Sequence, residues 1–167
     1  MTDETTDTHA PEPNFEPYEG LETVPDEAIV KIRQYADVLF SRKDYDRALD
    51  VFHELVRLRP RRADFWRDMG ITARQLGRSH FGLFCLQRAL RLDADDRLTQ
   101  LNLGELLCRI GKPTEGLEVL EVVFEEGYDP SQTPEQQDDL TKRAGATLGA
   151  IRMMAAELGD ELFAQGS

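Results

Sequence analysis

Long apolar runs are missing from this 167-residue chain, and with them any segment able to cross a bilayer as a helix. Cysteine is scarce. Cys85 and Cys108 sit inside apolar helical patterns and make no disulfide framework, so they read as packing residues and a reducing cytoplasm is the expected setting. The opening stretch, MTDETTDTHAPEPNFEPYEG, has neither the basic region nor the apolar core of a secretory signal. Histidine occurs only as His9, His53 and His80, with no cysteine or carboxylate set at metal-ligand spacing, and no metal site is expected. Asp93, Asp95 and Asp96 lack the glycine and the distant glutamate of a calcium loop. Gly-rich phosphate loops and nucleophile elbows are also absent, so neither a cofactor nor an enzyme is expected.

Basic residues are absent from one place in particular. Residues 1–28 hold nine acids and no Lys or Arg, whereas residues 29–62 carry a net charge of +4. Residues 63–96 balance, and 97–130 and 131–167 carry −4 and −3 within a total of −12. A negative chain without a basic stripe is a poor ligand for a phosphate backbone, which argues against nucleic acid. Residues 1–27, rich in Pro, Glu, Asp and Thr, read as an acidic disordered tail, since they bury too little to offset ordering entropy. Within them Phe15, Tyr18, Leu21 and Val24 recur every third residue, which suits a short turn or a docking segment, with Phe15, Tyr18 and Leu21 folding back onto the binding groove beside the basic first repeat.

What is present is a period. Displacing the chain by 34 residues brings Ala36 onto Gly70 and Gly104, and Ala48 onto Gly82 and Gly116. Phe52 falls on Leu86 and Leu120, and Lys43 on Gly77 and Gly111. The small residues let paired helices approach closely, at a cost of about 1 kcal/mol for each mid-helix glycine relative to alanine. Gly77 and Gly111 suit the left-handed end of a first helix, and Pro113 the first turn of a second. Trp66 occupies the place of the ring that fills a hairpin core. A 34-residue unit of two helices is the mark of the tetratricopeptide repeat. The fold expected is all-α: three repeats within 28–130 (29–62, 63–96 and 97–130), then a C-terminal capping helix and short tail in 131–167. Thr133, Pro134 and Gln136 read as the start of that helix. Leu140, Ala144, Leu148, Ile151, Ala155 and Leu158 read as its buried face and Gly159 as its end.

In this architecture the first helix of each pair lines a concave wall. The wall positions are Val30, Arg33, Asp37 and Phe40; Asp64, Arg67, Ile71 and Arg74; and Leu98, Leu101, Glu105 and Cys108. Val30, Phe40, Ile71, Leu98 and Leu101 place apolar atoms where water is expected, with Arg33, Arg67 and Arg74 beside them. An exposed apolar strip of this kind marks a binding surface. Pockets flanked by arginine donors suit an extended peptide. The competing reading is that the C-terminal helix, the acidic tail or a second subunit covers the wall.

The stretches YADVLFSRKDYDRALDVFHELVRLRP and MGITARQLGRSHFGLFCLQRALRLD resemble the class II chaperones of bacterial type III secretion systems. The likeness rests on Met69-Gly70, Gln75-Leu76-Gly77 and the run from Phe81 to Leu90. It implies a bacterial cytoplasmic protein that keeps hydrophobic translocator subunits soluble before export and holds an extended client segment in the groove at Phe40, Ile71, Leu98 and Leu101. It also implies homodimers joined through the N-terminal region and first repeat. The sequence departs from that family in placing Arg33, Asp64, Arg67 and Arg74 where tyrosines are common. The alternative function is a general adaptor that assembles a stable protein–protein complex.

Overall fold

The computed structural model describes residues 24–164, with side chains as far as Glu157. The expectations for the acidic tail, for docking by Phe15, Tyr18 and Leu21, and for the side chain of Leu158 lie outside the described residues. Seven helices follow one another in the described part: α1 (Asp26–Ser41), α2 (Tyr45–Leu58), α3 (Ala63–Gln75), α4 (Ser79–Leu92), α5 (Arg97–Arg109), α6 (Pro113–Gly127) and α7 (Asp139–Ala164). Helices adjacent in sequence pack as antiparallel neighbours, and α7 packs on both α6 and α5. The fold is all-helical, and no described helix is long and apolar enough to cross a membrane.

The three hairpin turns are built alike. A backbone bond closes each from the residue after the left-handed position to a carbonyl five residues back: Asp44 to Leu39, Arg78 to Ala73 and Lys112 to Leu107, each at 3.0 Å. Such closure needs a positive φ at the preceding residue. Gly77 (φ 74°) and Gly111 (φ 84°) provide it without strain, while the first hairpin uses Lys43 at φ 62°.

Between the helices of a pair, missing side chains set the approach. A Cβ on Gly116 would lie 2.3 Å from Cys108 Sγ and 2.7 Å from the Gly104 carbonyl oxygen. The helix-breaking tendency of glycine is accepted here because the partner backbone occupies the space. Ala36, Ala48, Phe52, Leu55, Phe65, Trp66 and Met69 are buried in one core that joins the first two hairpins. Trp66 fills that core with its indole Nε1 donating to the Pro60 carbonyl at 2.8 Å.

The C-terminal helix departs from expectation at both ends. Gln136 Oε1 does accept from the Thr133 amide, but only a single turn forms there. Helix α7 begins at Asp139, where Asp138 Oδ1 accepts from the Leu140 and Thr141 amides at 2.9 and 3.1 Å. Asp96 caps α5 in the same way, accepting from Leu98 and Thr99. At the other end α7 runs past Gly159 to Ala164. Leu140, Ala144 and Leu148 pack into the body as expected, whereas Ala155 is exposed together with Met153 and Met154.

Candidate peptide-binding groove

Helices α1, α3 and α5 stand side by side, and a cavity of about 260 Å³ opens among them. Phe40, Phe52, Ile71 and Leu98 supply its apolar lining, and Arg33, Asp37, Arg67 and Asp68 its polar one. Arg33, Asp37, Phe40, Arg67, Ile71 and Leu98, named from the repeat frame, are thus brought together. Phe52 and Asp68 are additions. Phe52 belongs to the buried core column of α2 and contributes to the floor of the cavity.

The arginines of this wall are already engaged, which corrects their reading as open donors. Arg33 donates from Nη1 to Asp64 Oδ2 at 2.9 Å and from Nη2 to Asp68 Oδ2 at 2.8 Å, tying α1 to α3. Arg67 donates to Asp68 at 3.0 Å and to Asp96 at 2.9 Å, tying α3 to the start of α5. Arg74 donates to Glu105 at 2.9 Å, and Arg143 of α7 reaches the same carboxylate from Nε at 2.6 Å. A ladder of ion pairs therefore crosses the inner wall from α1 to α7. Burial pushes the Asp68 carboxyl above its ordinary range and outweighs the nearby Arg67 and Arg33. Burial also pushes on Asp64 and Glu105, but there the paired guanidinium groups win and both stay below the usual carboxylate range. Burial works against the Arg67 charge too, and its two aspartates overcome it.

Other wall positions fall elsewhere. Leu101 is 0% exposed and belongs to a core with Leu120, Val123, Ala144 and Leu148, so its reading as a groove contact is wrong. Cys108 packs against that same core, and Glu105 turns toward Arg143. The reason is α7, which lies over the third hairpin and closes its share of the wall, leaving Leu98 as that hairpin's contribution. Arg74 is 8% exposed and held by Glu105. Asp64 lines a neighbouring shallow depression with Arg61, Arg62 and Asp96, and Val30, 53% exposed, stands outside the pocket. No group of three or more His, Cys, Asp or Glu able to hold a metal occurs among the described residues. Burial pushes the Cys85 thiol far above its ordinary value, in keeping with a packing role.

Residues 37–101 match the model of the tetratricopeptide repeat, and the geometry above is that of a tetratricopeptide-repeat fold. No curated protein matches the chain. Among solved structures, the chain is similar to the type III secretion translocator chaperone SycD of Yersinia enterocolitica. Identity is 18%, covering 78% of this chain and 94% of that one, with a TM-score of 0.69. The same chaperone in complex with a peptide of the translocator YopD aligns at 19% identity over 77% and 95% of the two chains, TM-score 0.66. PcrH in complex with the chaperone binding region of PopD aligns at 16% identity over 80% and 97%, TM-score 0.67. The resemblance carried by the sequence is therefore matched in three dimensions, at the level of the fold.

Proposed function

We propose that this protein is a chaperone that holds an extended, partly apolar segment of a client polypeptide in the pocket among α1, α3 and α5. The observation that carries this reading is the pocket itself: apolar side chains from three successive repeat segments converge on one accessible cavity beside a row of fixed charges. An anchor side chain entering it meets Phe40, Ile71 and Leu98, while the client backbone runs across the ion-pair ladder. Binding is stoichiometric and without turnover. SycD is described in complex with a peptide of the translocator YopD and PcrH with the chaperone binding region of PopD, which supports a secreted hydrophobic translocator as the client class and the bacterial cytoplasm as the place of action.

Co-expression with a candidate translocator from the same host tests the proposal. A soluble one-to-one complex is expected, and Ile71→Glu should weaken it by at least about tenfold, roughly 1.4 kcal/mol, because few buried anchors dominate such interfaces. The variant should keep the helical signal and melting temperature of the parent. Undiminished binding by a folded Ile71→Glu protein would show that the client sits elsewhere. The adaptor reading is distinguished by the client alone: a partner that stays soluble without this protein needs no chaperone.

A further inference from the structure

The acidic end of the molecule carries a cavity that the proposed function does not use. Where α6 passes to α7, about 310 Å³ opens between Phe124 and Tyr128 on one side and Pro134, Thr141 and Gly145 on the other. It shares no lining residue with the pocket among α1, α3 and α5. The rings of Phe124 and Tyr128 stack with centroids 5.1 Å apart and planes 23° from parallel, and Tyr128 is exposed. Gly145 keeps the space clear, since a Cβ there would come within 3.0 Å of Phe124 Cε2. The connecting loop is pinned by buried Gln137. Its Oε1 accepts from the Asp129 amide at 3.0 Å, and its Nε2 donates to the Asp129 carbonyl at 2.6 Å. The opening is formed before any ligand arrives, which lowers the ordering cost of binding.

The charge around this cavity has one sign. Residues 121–139 hold seven acids and no Lys or Arg. Glu121, Asp138 and Asp139 are bridged to Arg152, Arg97 and Lys142. Glu125, Glu126, Asp129 and Glu135 form no ion pair among the described residues. Glu125 and Tyr128, at i and i+3 on α6, are surface neighbours. Asp129 follows Tyr128 in the chain, and Glu135 follows Pro134. Lys142, the cation among the lining residues, is turned to Asp139 at 3.3 Å. An aromatic floor inside an acidic rim is a receptor for a guanidinium. The ring faces attract its weakly hydrated plane, and the carboxylates accept from its N–H groups. A neutral apolar anchor would meet the rings but gain nothing from the rim.

We infer that this cleft binds an extended, arginine-bearing segment of a partner protein. One guanidinium lies on the Tyr128 and Phe124 rings, and cations beside it face Glu125, Asp129 and Glu135. A second copy of this chain is a poor occupant. In its most basic stretch, residues 29–62, Arg33, Arg47, Arg57, Arg59 and Arg62 are already paired with its own carboxylates. The inference is independent of the proposed function.

The test titrates the isotope-labelled full chain with a synthetic peptide of repeated Gly-Ser-Arg units. Its control carries citrulline, uncharged and nearly isosteric, in place of each arginine. Amide shifts should change at Glu125, Tyr128, Gln132 and Gly145. The citrulline peptide should bind at least about tenfold more weakly, having lost a ring contact and an ion pair together. Gly145→Leu fills the cavity with a good helix former, and Glu125→Gln with Glu135→Gln discharges the rim while leaving the cavity open. Each should weaken binding at least about fivefold, whereas Glu27→Gln with Asp50→Asn, an equal loss of charge at the other end, should not. Equal affinity for the citrulline peptide, or shifts centred on Ile71 and Leu98 instead, would overturn the inference. Binding indifferent to both the cavity and the rim variants would do the same. A parent that sediments as a dimer and becomes a monomer on Gly145→Leu would make the occupant a second copy and overturn it too. No translocator client enters the experiment, so its failure is separable from failure of the chaperone reading.

Discussion

Arg74 Nη1 donates to Glu105 Oε2 at 2.9 Å, so the inner helices α3 and α5 are joined through a guanidinium that is almost entirely buried. The same carboxylate accepts from Arg143 on α7. The two arginines differ in burial, so the carboxylate matters more to Arg74 than to Arg143. Glu105→Ala leaves Arg74 buried and unpaired, and should destabilise the fold by about 3 kcal/mol. Arg143 is far more exposed, and Arg143→Ala should cost less than about 1 kcal/mol. Urea midpoints at neutral pH, with unchanged slopes, would measure the difference.

Leu101 separates stability from binding. Leu101→Ala opens a cavity where α5, α6 and α7 meet and should cost about 3 kcal/mol. Leu101→Glu buries a charge there and should lose cooperative unfolding of the C-terminal half, seen by circular dichroism. Ile71→Glu and Leu98→Glu, whose side chains line the open pocket, should melt near the parent temperature.

Lys43 holds a backbone conformation that its two counterparts assign to glycine. The left-handed region costs an ordinary residue about 1 kcal/mol. Lys43→Gly should therefore stabilise the protein by up to that amount, while Gly77→Ala and Gly111→Ala should destabilise it comparably. Thermal melts of the three variants give opposite signs.

Asp138 fixes the direction of the acid response. Hydrogen bonds from the Thr141 hydroxyl and amide lead in holding its carboxyl at about 2, against an ordinary value of 3.8. A carboxylate whose folded value is depressed stabilises the fold above its unfolded value and loses that contribution as the pH falls through the folded one. Stability should fall between about pH 4 and 2, and Asp138→Asn should flatten that limb of a pH-resolved melting series. Asp64, Asp96 and Glu105 shift in the same direction and add to the fall, whereas Asp68, whose value is raised, opposes it.

Which parts of this could be read from the residues depends on how local their causes are. The size columns at Ala36, Gly70 and Gly104 and the positive-φ column at Lys43, Gly77 and Gly111 report contacts inside one hairpin, and the period exposes them directly. Leu101 shares a column with Arg33 and Arg67, so the repeat frame assigns it to the wall. Its burial comes from α7, outside the period. A leucine where the other units carry arginine was the available signal. The start of α7 was legible too, since DRLT at 96–99 and DDLT at 138–141 are the same cap written twice. The engagement of Arg33, Arg67 and Arg74 was not, because it joins residues about 30 apart whose side-chain directions follow from how the hairpins stack.

By roofing the third hairpin, α7 leaves the cavity among α1, α3 and α5 as the apolar opening of the described inner wall, the seat on which the proposed function relies. A guest fastened along three units must peel away in stages, each with its own barrier. One seated at a single cavity lets go in one event, and its off-rate follows the depth of that seat alone. On the proposed chaperone reading, handing a client onward would then need no stepwise unzipping, because a pull on its far end acts directly on that seat.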